Sequence, residues 1–181
     1  GPDRAPPALR PVGAALGPGH HRRGDRGAHA VEVDAGLAEL ARRQLIDAKV
    51  SRRGEIRVGD FMAIDIEAGS FDLALLNNNL YYFPLDGHRA LFERVKGYLS
   101  KGGVLAIQTP IATAQILPRL AGLAKTTTAF DLFVRSHSNL YGLPDVAPLH
   151  ALLREVGFSS IGETNIIPGG SVRYLWARTA K

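Results

Sequence analysis

The sequence predicts an α/β domain built on a mostly parallel β-sheet whose last strand is antiparallel. From residue 31 onward, short apolar strands alternate with amphipathic helices, and this order implies crossovers between parallel strands. Segment 71–76 is almost entirely apolar, as expected of a strand buried on both faces. Segment 171–178 follows a Pro-Gly-Gly turn and alternates in side-chain size and polarity, which indicates a half-buried antiparallel strand.

Each element is predicted from its local pattern. The predicted strands are 31–34, 55–58, 71–76, 104–109, 158–165 and 171–178, and the predicted helices are 35–49, 86–99, a weak one near 117–126, and 145–156. The helices have apolar residues at helical spacing, and the first is expected to bury Leu37 and Leu40. Glycines stop two of them, at Gly102 and Gly157.

Residues 1–30 differ from the rest of the chain. They contain five of the eleven prolines, six glycines and few large apolar residues, so they cannot offset the entropy of ordering. We expect an irregular or disordered segment over 1–30 and one domain over 31–181. Two interpretations of the first segment stay open: a flexible tail, or residues that are not native to this region, as after a frameshift or a truncation.

Composition excludes several classes of function. The 181 residues include no cysteine, which rules out disulfides and thiolate chemistry. Residues 1–30 carry five Arg and two Asp, while the remainder has 17 basic and 15 acidic residues, so no basic face for nucleic acid is expected. No apolar run reaches the roughly 18 residues of a membrane span, and no signal peptide is visible. We expect a cytoplasmic protein without a metal site; the sequence does not reveal its oligomeric state.

Six segments in order carry a family resemblance. They are VEVD at 31–34, VGDF at 58–61, FDLALLNNNLYYFP at 71–84, FERVKGYLSKGGVLAIQTP at 92–110, LLREVGFSSI at 152–161 and VRYLWARTAK at 172–181. Together they resemble class I S-adenosylmethionine-dependent methyltransferases. The resemblance implies a Rossmann-like sheet, with S-adenosyl-L-methionine lying across the carboxyl ends of the first strands. It also implies methyl transfer to an acceptor, which we expect to be a small molecule.

The resemblance assigns cofactor contacts to two acidic positions. Asp34 matches the acid that accepts hydrogen bonds from both ribose hydroxyls, a role that suits a carboxylate. Its alternative role is the N-cap of the following helix. Asp60 matches the acid that accepts from the adenine amino group, and the Phe61 backbone N–H matches the contact to adenine N1. The alternative for Asp60 is a turn-forming side chain.

The resemblance also assigns residues near the methyl acceptor. Asn77 and Asn78 match a loop that touches the methionine part of the cofactor, with an Asn-rich turn as the alternative. Tyr81, Tyr82 and Phe83 would form an aromatic wall for the sulfonium methyl and the acceptor, or else pack the loop onto the next helix. His137 is a candidate general base, or else a surface histidine.

The glycine-rich loop departs from the family pattern. Gly13 and Gly17 match two of its glycines, but Ala15 stands at the middle position. Three prolines in 5–11 exclude a central strand there, because proline cannot donate to a ladder. We therefore expect the first strand to be absent, a gap in the sheet and weak cofactor binding.

Methyl transfer from an activated sulfonium depends mainly on alignment and desolvation, so no catalytic residue is identified. The alternative is a catalytically degenerate protein of the same fold that serves as a binding or partner subunit. A nicotinamide-dependent oxidoreductase would need an intact G-x-G-x-x-G and a Tyr-x-x-x-Lys, and neither occurs in the chain.

Overall fold

The computed structural model describes residues 15–16, 27–112, 121–165 and 172–181, with backbone only for 15–16 and 121–127. The strands are β1 (Ala15–Leu16), β2 (Ala28–Glu32), β3 (Gly54–Val58), β4 (Phe71–Asn77), β5 (Leu99–Pro110), β6 (Ser160–Thr164) and β7 (Val172–Arg178). The helices are α1 (Ala35–Asp47), α2 (His88–Tyr98), α3 (Ala121–Ser136) and α4 (Val146–Glu155). None of the described helices is long and apolar enough to cross a membrane.

The strands form one seven-stranded sheet in the order β3-β2-β1-β4-β5-β7-β6. The pairs β2–β3 and β4–β5 are parallel, whereas β7 is antiparallel to both β5 and β6. β1 is antiparallel to both of its neighbours, so β2 and β4 point the same way. All strands except β1 and β7 therefore share one direction, which confirms the predicted mostly parallel sheet with an antiparallel last strand.

β1 occupies the position where a gap was expected. Ala15 lies opposite Ala30 of β2 on one side and Leu75 of β4 on the other. Inner strand edges left without a neighbour would carry unsatisfied N–H and C=O groups, and two residues of backbone pair with both edges. The segment that fills the gap is thus two residues long and reversed in direction, instead of a long parallel strand.

Some predicted element boundaries were wrong. β2 ends at Glu32 instead of residue 34, because Asp34 already caps α1. α3 runs to Ser136, well past the predicted 117–126, and its second half is held by packing that no local pattern encodes. Two residues expected in the core, Leu37 and Leu40, are 50% and 52% exposed, while the neighbouring Ala38 is fully buried.

One face of the sheet holds the main core. The register aligns Leu76 of β4 with Ile107 of β5, and Ile107 with Leu175 of β7. These side chains are buried together with those of α2 and α4, among them Leu91, Phe92, Val95, Leu149 and Leu153. Each buried leucine, isoleucine or phenylalanine contributes about 1.5–3 kcal/mol relative to an exposed one.

The other face of β4, β5 and β7 is partly open. Leu75 and Trp176 lie on it across from Ala106, and each is 39% exposed. They line a groove of about 390 Å³, which also has Asn77, Gln108 and Tyr174 in its wall.

Candidate cofactor-binding site

The carboxyl ends of β2, β3, β4 and β5 meet at one edge of the sheet, because these strands share a direction. The segments that follow them carry the residues expected to hold a cofactor. Asp34 follows β2, Asp60 follows β3, and Asn77 closes β4. The fold therefore brings these three predicted residues to the same edge.

Asp34 is the N-cap of α1. Its Oδ1 accepts hydrogen bonds from the backbone N–H groups of Gly36, at 2.8 Å, and Leu37, at 3.0 Å. Within the described part of the chain, Oδ2 accepts none. The capping alternative is therefore present in the structure, and it leaves one carboxylate oxygen for a ligand; the ribose role of Asp34 stays a prediction.

A second acid, Glu32, lies at the end of β2 and was missed by the sequence reasoning. Its side chain is only 8% exposed, and its Oε1 accepts from the backbone N–H of Asp34 at 2.9 Å. An acid inside an apolar strand is rare unless it has partners or a function. That rarity was the available signal in the sequence.

Asp60 begins a tight turn after β3. Its Oδ1 accepts from the backbone N–H of Met62 at 2.8 Å, and its carbonyl oxygen accepts from those of Ala63 and Ile64. The turn-forming alternative is thus present, and the side chain of Asp60 remains exposed. Phe61 is buried in the main core, directly after Asp60.

Asn77 and Asn78 have different local roles. Asn77 is the exposed last residue of β4. Asn78 has a φ of 51° and donates its backbone N–H to the carbonyl of Gln108 at 2.8 Å. Asparagine is enriched in this left-handed region, so the turn explains why an asparagine stands at position 78. The turn does not explain the asparagine at position 77, which lies in the strand.

A row of aromatic rings lies beside this edge. His137 is 4.1 Å from Phe133, Phe133 is 6.1 Å from Phe130, and Phe130 is 5.6 Å from Tyr81, all between ring centroids. Tyr81 is also 4.8 Å from Tyr82. We call these five residues the aromatic row. It joins the predicted Tyr81, Tyr82 and His137 through two phenylalanines that the sequence reasoning missed.

The aromatic row packs onto a small second core. Its buried members are Val134, Leu140 and Leu143, and the tyrosines pack against it. The backbone N–H of Tyr141 also donates to the carbonyl of Tyr81 at 2.8 Å. Packing is therefore one role of this loop: the two tyrosines pack against α3 and the loop after it, while Leu80 and Phe83 contact His88 of α2 as expected.

The structure constrains two polar groups of the aromatic row, the phenol of Tyr81 and the Nδ1 atom of His137. Burial, followed by the charge and hydrogen bond of Tyr82, raises the pKa of Tyr81 to about 12, so its phenol remains neutral. Nδ1 of His137 lies 2.7 Å from the Phe133 carbonyl oxygen. Because a carbonyl only accepts, Nδ1 of His137 carries a proton in this contact.

Two predicted contacts, Gly13 and Gly17, lie outside the described residues. Within the residues that are described, no group of three or more His, Asp or Glu side chains is placed to hold a metal ion.

Residues 13–103 match the sequence profile of the family described as "Methyltransferase domain", which is half of the chain. The chain belongs to this methyltransferase family. No curated protein sequence matches this methyltransferase domain significantly.

Solved structures agree with the fold of the methyltransferase domain. A putative O-methyltransferase from Nostoc punctiforme PCC 73102 superimposes with a TM-score of 0.69 at 20% identity, over 83% of this chain and 43% of that one. An O-methyltransferase family protein from Burkholderia thailandensis gives 0.67 at 21% identity, over 84% and 43%.

A third structure contains the demethylated cofactor. Phosphoethanolamine N-methyltransferase 2 from Haemonchus contortus, in complex with phosphomonomethylethanolamine and S-adenosylhomocysteine, gives a TM-score of 0.61 at 14% identity, over 84% of this chain and 44% of that one. The methyltransferase domain thus spans less than half the length of these three proteins.

Proposed function

We propose that this domain binds S-adenosyl-L-methionine across the carboxyl edge of its sheet and takes part in methyl transfer to a small molecule. The observation that carries the proposal is the arrangement of Asp34, Asp60 and Asn77 at one edge of a sheet with the methyltransferase strand order. Membership of the methyltransferase family supports it.

The chemistry of the residues present fits the cofactor. Asp34 retains an acceptor oxygen for ribose hydroxyls after it caps α1. Asp60 keeps an exposed carboxylate for an amino group of the adenine, and Asn77 is exposed at the end of β4, where the resemblance implies a contact with the methionine part. When bound, the cofactor supplies an activated methyl group, and the task of the chain is to orient it and exclude water.

The aromatic row supports an organic acceptor. Its rings offer an apolar surface on which an organic acceptor can pack. Nδ1 of His137 lies against the Phe133 carbonyl, so Nε2 is the ring nitrogen that would face a hydroxyl acceptor in the proposed role of general base. Since two of the superimposed proteins are called O-methyltransferases, a hydroxyl-bearing small molecule is the first acceptor class to test. We expect no nucleic-acid partner, because positive and negative charges nearly balance from residue 31 onward.

One observation favours a second candidate function. β1 is two residues long and runs antiparallel to its neighbours, whereas the resemblance implies a parallel strand leading into a glycine loop. A protein with this change could retain the fold as a non-catalytic binding or partner subunit.

Calorimetric titration with S-adenosylhomocysteine separates the two functions, with NADH as the control ligand. Micromolar binding of S-adenosylhomocysteine without binding of NADH supports the methyltransferase site. If a folded chain binds neither ligand, the proposal fails and the partner-subunit function stands.

A further inference from the structure

Arg94 of α2 reaches across to the segment that follows β3. Its Nε donates to the carbonyl oxygen of Phe61 at 2.8 Å, and its Nη2 donates to the carbonyl oxygen of Ile64. The guanidinium carbon lies 5.5 Å from the centre of the Tyr98 ring, one helical turn further along α2. One half-buried cation therefore bridges two backbone carbonyls and rests on an aromatic face.

Tyr98 holds the same segment from a second direction. Its hydroxyl donates to the carbonyl of Ile64 at 3.3 Å, and its ring meets that of Phe61 edge to face at 5.9 Å. Burial raises the pKa of Tyr98, which keeps the phenol protonated as a donor. Ile64 thus accepts from two side chains of α2, and the Phe61 side chain is fixed between the turn and the helix.

An arginine suits this position for a geometric reason. Phe61 and Ile64 present their carbonyls at opposite ends of the turn that Asp60 closes. The planar guanidinium carries several donors in a rigid fork and can satisfy both carbonyls at once, whereas a lysine ammonium is a point donor on a flexible stem. Arg94 fixes the backbone conformation of this turn.

The turn contains the two groups expected to recognise adenine, the Asp60 carboxylate and the Phe61 backbone N–H. We infer that Arg94 is a positioning residue for adenine recognition: by holding the Phe61 and Ile64 carbonyls, it sets the direction of these two groups before a ligand arrives. The inference rests on the proposed cofactor binding. Preorganisation of this kind raises affinity, because the loop loses less freedom on binding.

The test compares two ligands that differ at the purine. S-Inosylhomocysteine lacks the adenine amino group and carries a proton on N1, so it cannot make either expected contact, while its ribose and amino-acid parts are unchanged. Titration of the wild-type chain and of Arg94→Gln with both ligands gives the preference for adenine. We expect the variant to bind S-adenosylhomocysteine roughly tenfold more weakly and the inosyl ligand with little change. The ratio of the two dissociation constants, which measures the preference for adenine, then falls towards one.

Arg42→Gln is the matched control. Arg42 is also a half-buried helical arginine that donates to a backbone carbonyl, from its Nη2 to Ile56 at 2.7 Å, but it does not contact the turn. A general loss of stability would weaken both ligands equally in either variant, whereas loss of positioning changes only the ratio in Arg94→Gln. If Arg94→Gln does not fold, Arg94→Lys keeps the cation and removes the two-carbonyl bridge.

The outcomes are distinguishable. If the wild-type chain binds neither S-adenosylhomocysteine nor its inosyl analogue, the proposed function fails and the inference fails with it. If the wild-type chain prefers adenine and the Arg94 variants retain that preference, only the positioning role is overturned. A preference that falls in the Arg94 variants and is unchanged in Arg42→Gln supports it.

Discussion

The backbone N–H of Asp34 donates to the carboxylate of Glu32 at 2.9 Å, so two acids are joined at the point where β2 becomes α1. The buried acid fixes the backbone of the partly exposed one, and the exposed one caps the helix. Because its backbone and its Oδ1 are both held by hydrogen bonds, Asp34 presents its second carboxylate oxygen in a fixed position at the edge of the sheet.

The capping and ligand roles of Asp34 can be separated by substitution. Asp34→Ser keeps a good N-cap but removes the carboxylate, whereas Asp34→Ala removes both. We expect the serine variant to unfold like the wild type within a few tenths of a kcal/mol, and the alanine variant to lose about 1 kcal/mol. Both should bind S-adenosylhomocysteine roughly tenfold or more weakly in calorimetry, because a charge-assisted hydrogen bond is lost.

Unchanged ligand binding by Asp34→Ser would contradict the assignment of Asp34 as the ribose contact. If this variant binds as the wild type does while Glu32→Gln does not, the buried acid is the ribose contact and Asp34 only caps the helix.

Tyr81 should make stability depend on pH in the alkaline range. Its pKa is about 12 in the folded chain and 10.0 in its ordinary state, so the unfolded chain ionises first. Stability is complete below the ordinary pKa and is lost as the pH rises from there to the folded pKa. Urea unfolding across this range should show the loss in the wild type and a smaller loss in Tyr81→Phe, which keeps the ring contact with Phe130. Equal slopes in the two proteins would contradict the assignment.

His88 should act in the opposite pH range. It is almost fully buried at the start of α2, with Nε2 3.1 Å from the Leu80 carbonyl, and burial lowers its pKa below the ordinary 6.5. The unfolded chain therefore binds a proton more readily, and stability is lost as the pH falls below that ordinary value. His88→Gln keeps a donor for Leu80 and cannot titrate in this range. We expect its unfolding free energy to depend less on pH than that of the wild type; an unchanged dependence would assign the effect to other groups.

Gly162 of β6 should be intolerant of a side chain. A Cβ built there would lie 2.3 Å from Cζ2 of Trp176, its cross-strand partner on β7. Gly162→Ala must displace the ring, at a cost of about 1–3 kcal/mol typical of overpacking. Trp176 is the single tryptophan of the chain, so its fluorescence emission reports the displacement directly.

Gly97→Ala is the control for that substitution. Gly97 lies within α2, and a Cβ there meets nothing within 4 Å. The change should leave the emission unaltered and stabilise the helix by up to about 1 kcal/mol. If the emission shifts in both variants, or in neither, the predicted clash between residue 162 and Trp176 is contradicted.

Much of the fold could be predicted because it is encoded locally. The predicted strands 71–76 and 104–109 form most of β4 and the second half of β5, and Asp34 begins a helix with a recognisable cap. The placement of Asp34, Asp60 and Asn77 at one edge followed from the shared direction of the strands. The strand patterns and the helix cap do not depend on contacts between distant parts of the chain, whereas the shared edge also requires the parallel pairing of β2 with β3 and of β4 with β5.

The missed features depend on such contacts. β1 has two residues, too few for any periodic pattern, and is defined only by the edges it pairs with. The second half of α3 is fixed by the packing of Val134 and the aromatic row. Likewise, Arg94 reads as an ordinary helical arginine until the fold brings the carbonyl of Phe61, far away in sequence, within hydrogen-bond distance.

The reversed two-residue strand has a mechanical consequence. Within the described residues, β1 alone joins the ladder of β2 and β3 to that of β4, β5, β7 and β6. This short pairing supplies few backbone hydrogen bonds, so the two parts of the sheet are held together mainly by the main core and by the contacts of Arg94 and Tyr98 with the segment after β3. A cofactor that contacts Asp34 on one side of β1 and Asn77 on the other would bridge the two parts of the sheet. Part of its binding free energy would then stabilise the contact between the two parts of the sheet. A substitution that loosens this contact would therefore also weaken the binding of the cofactor.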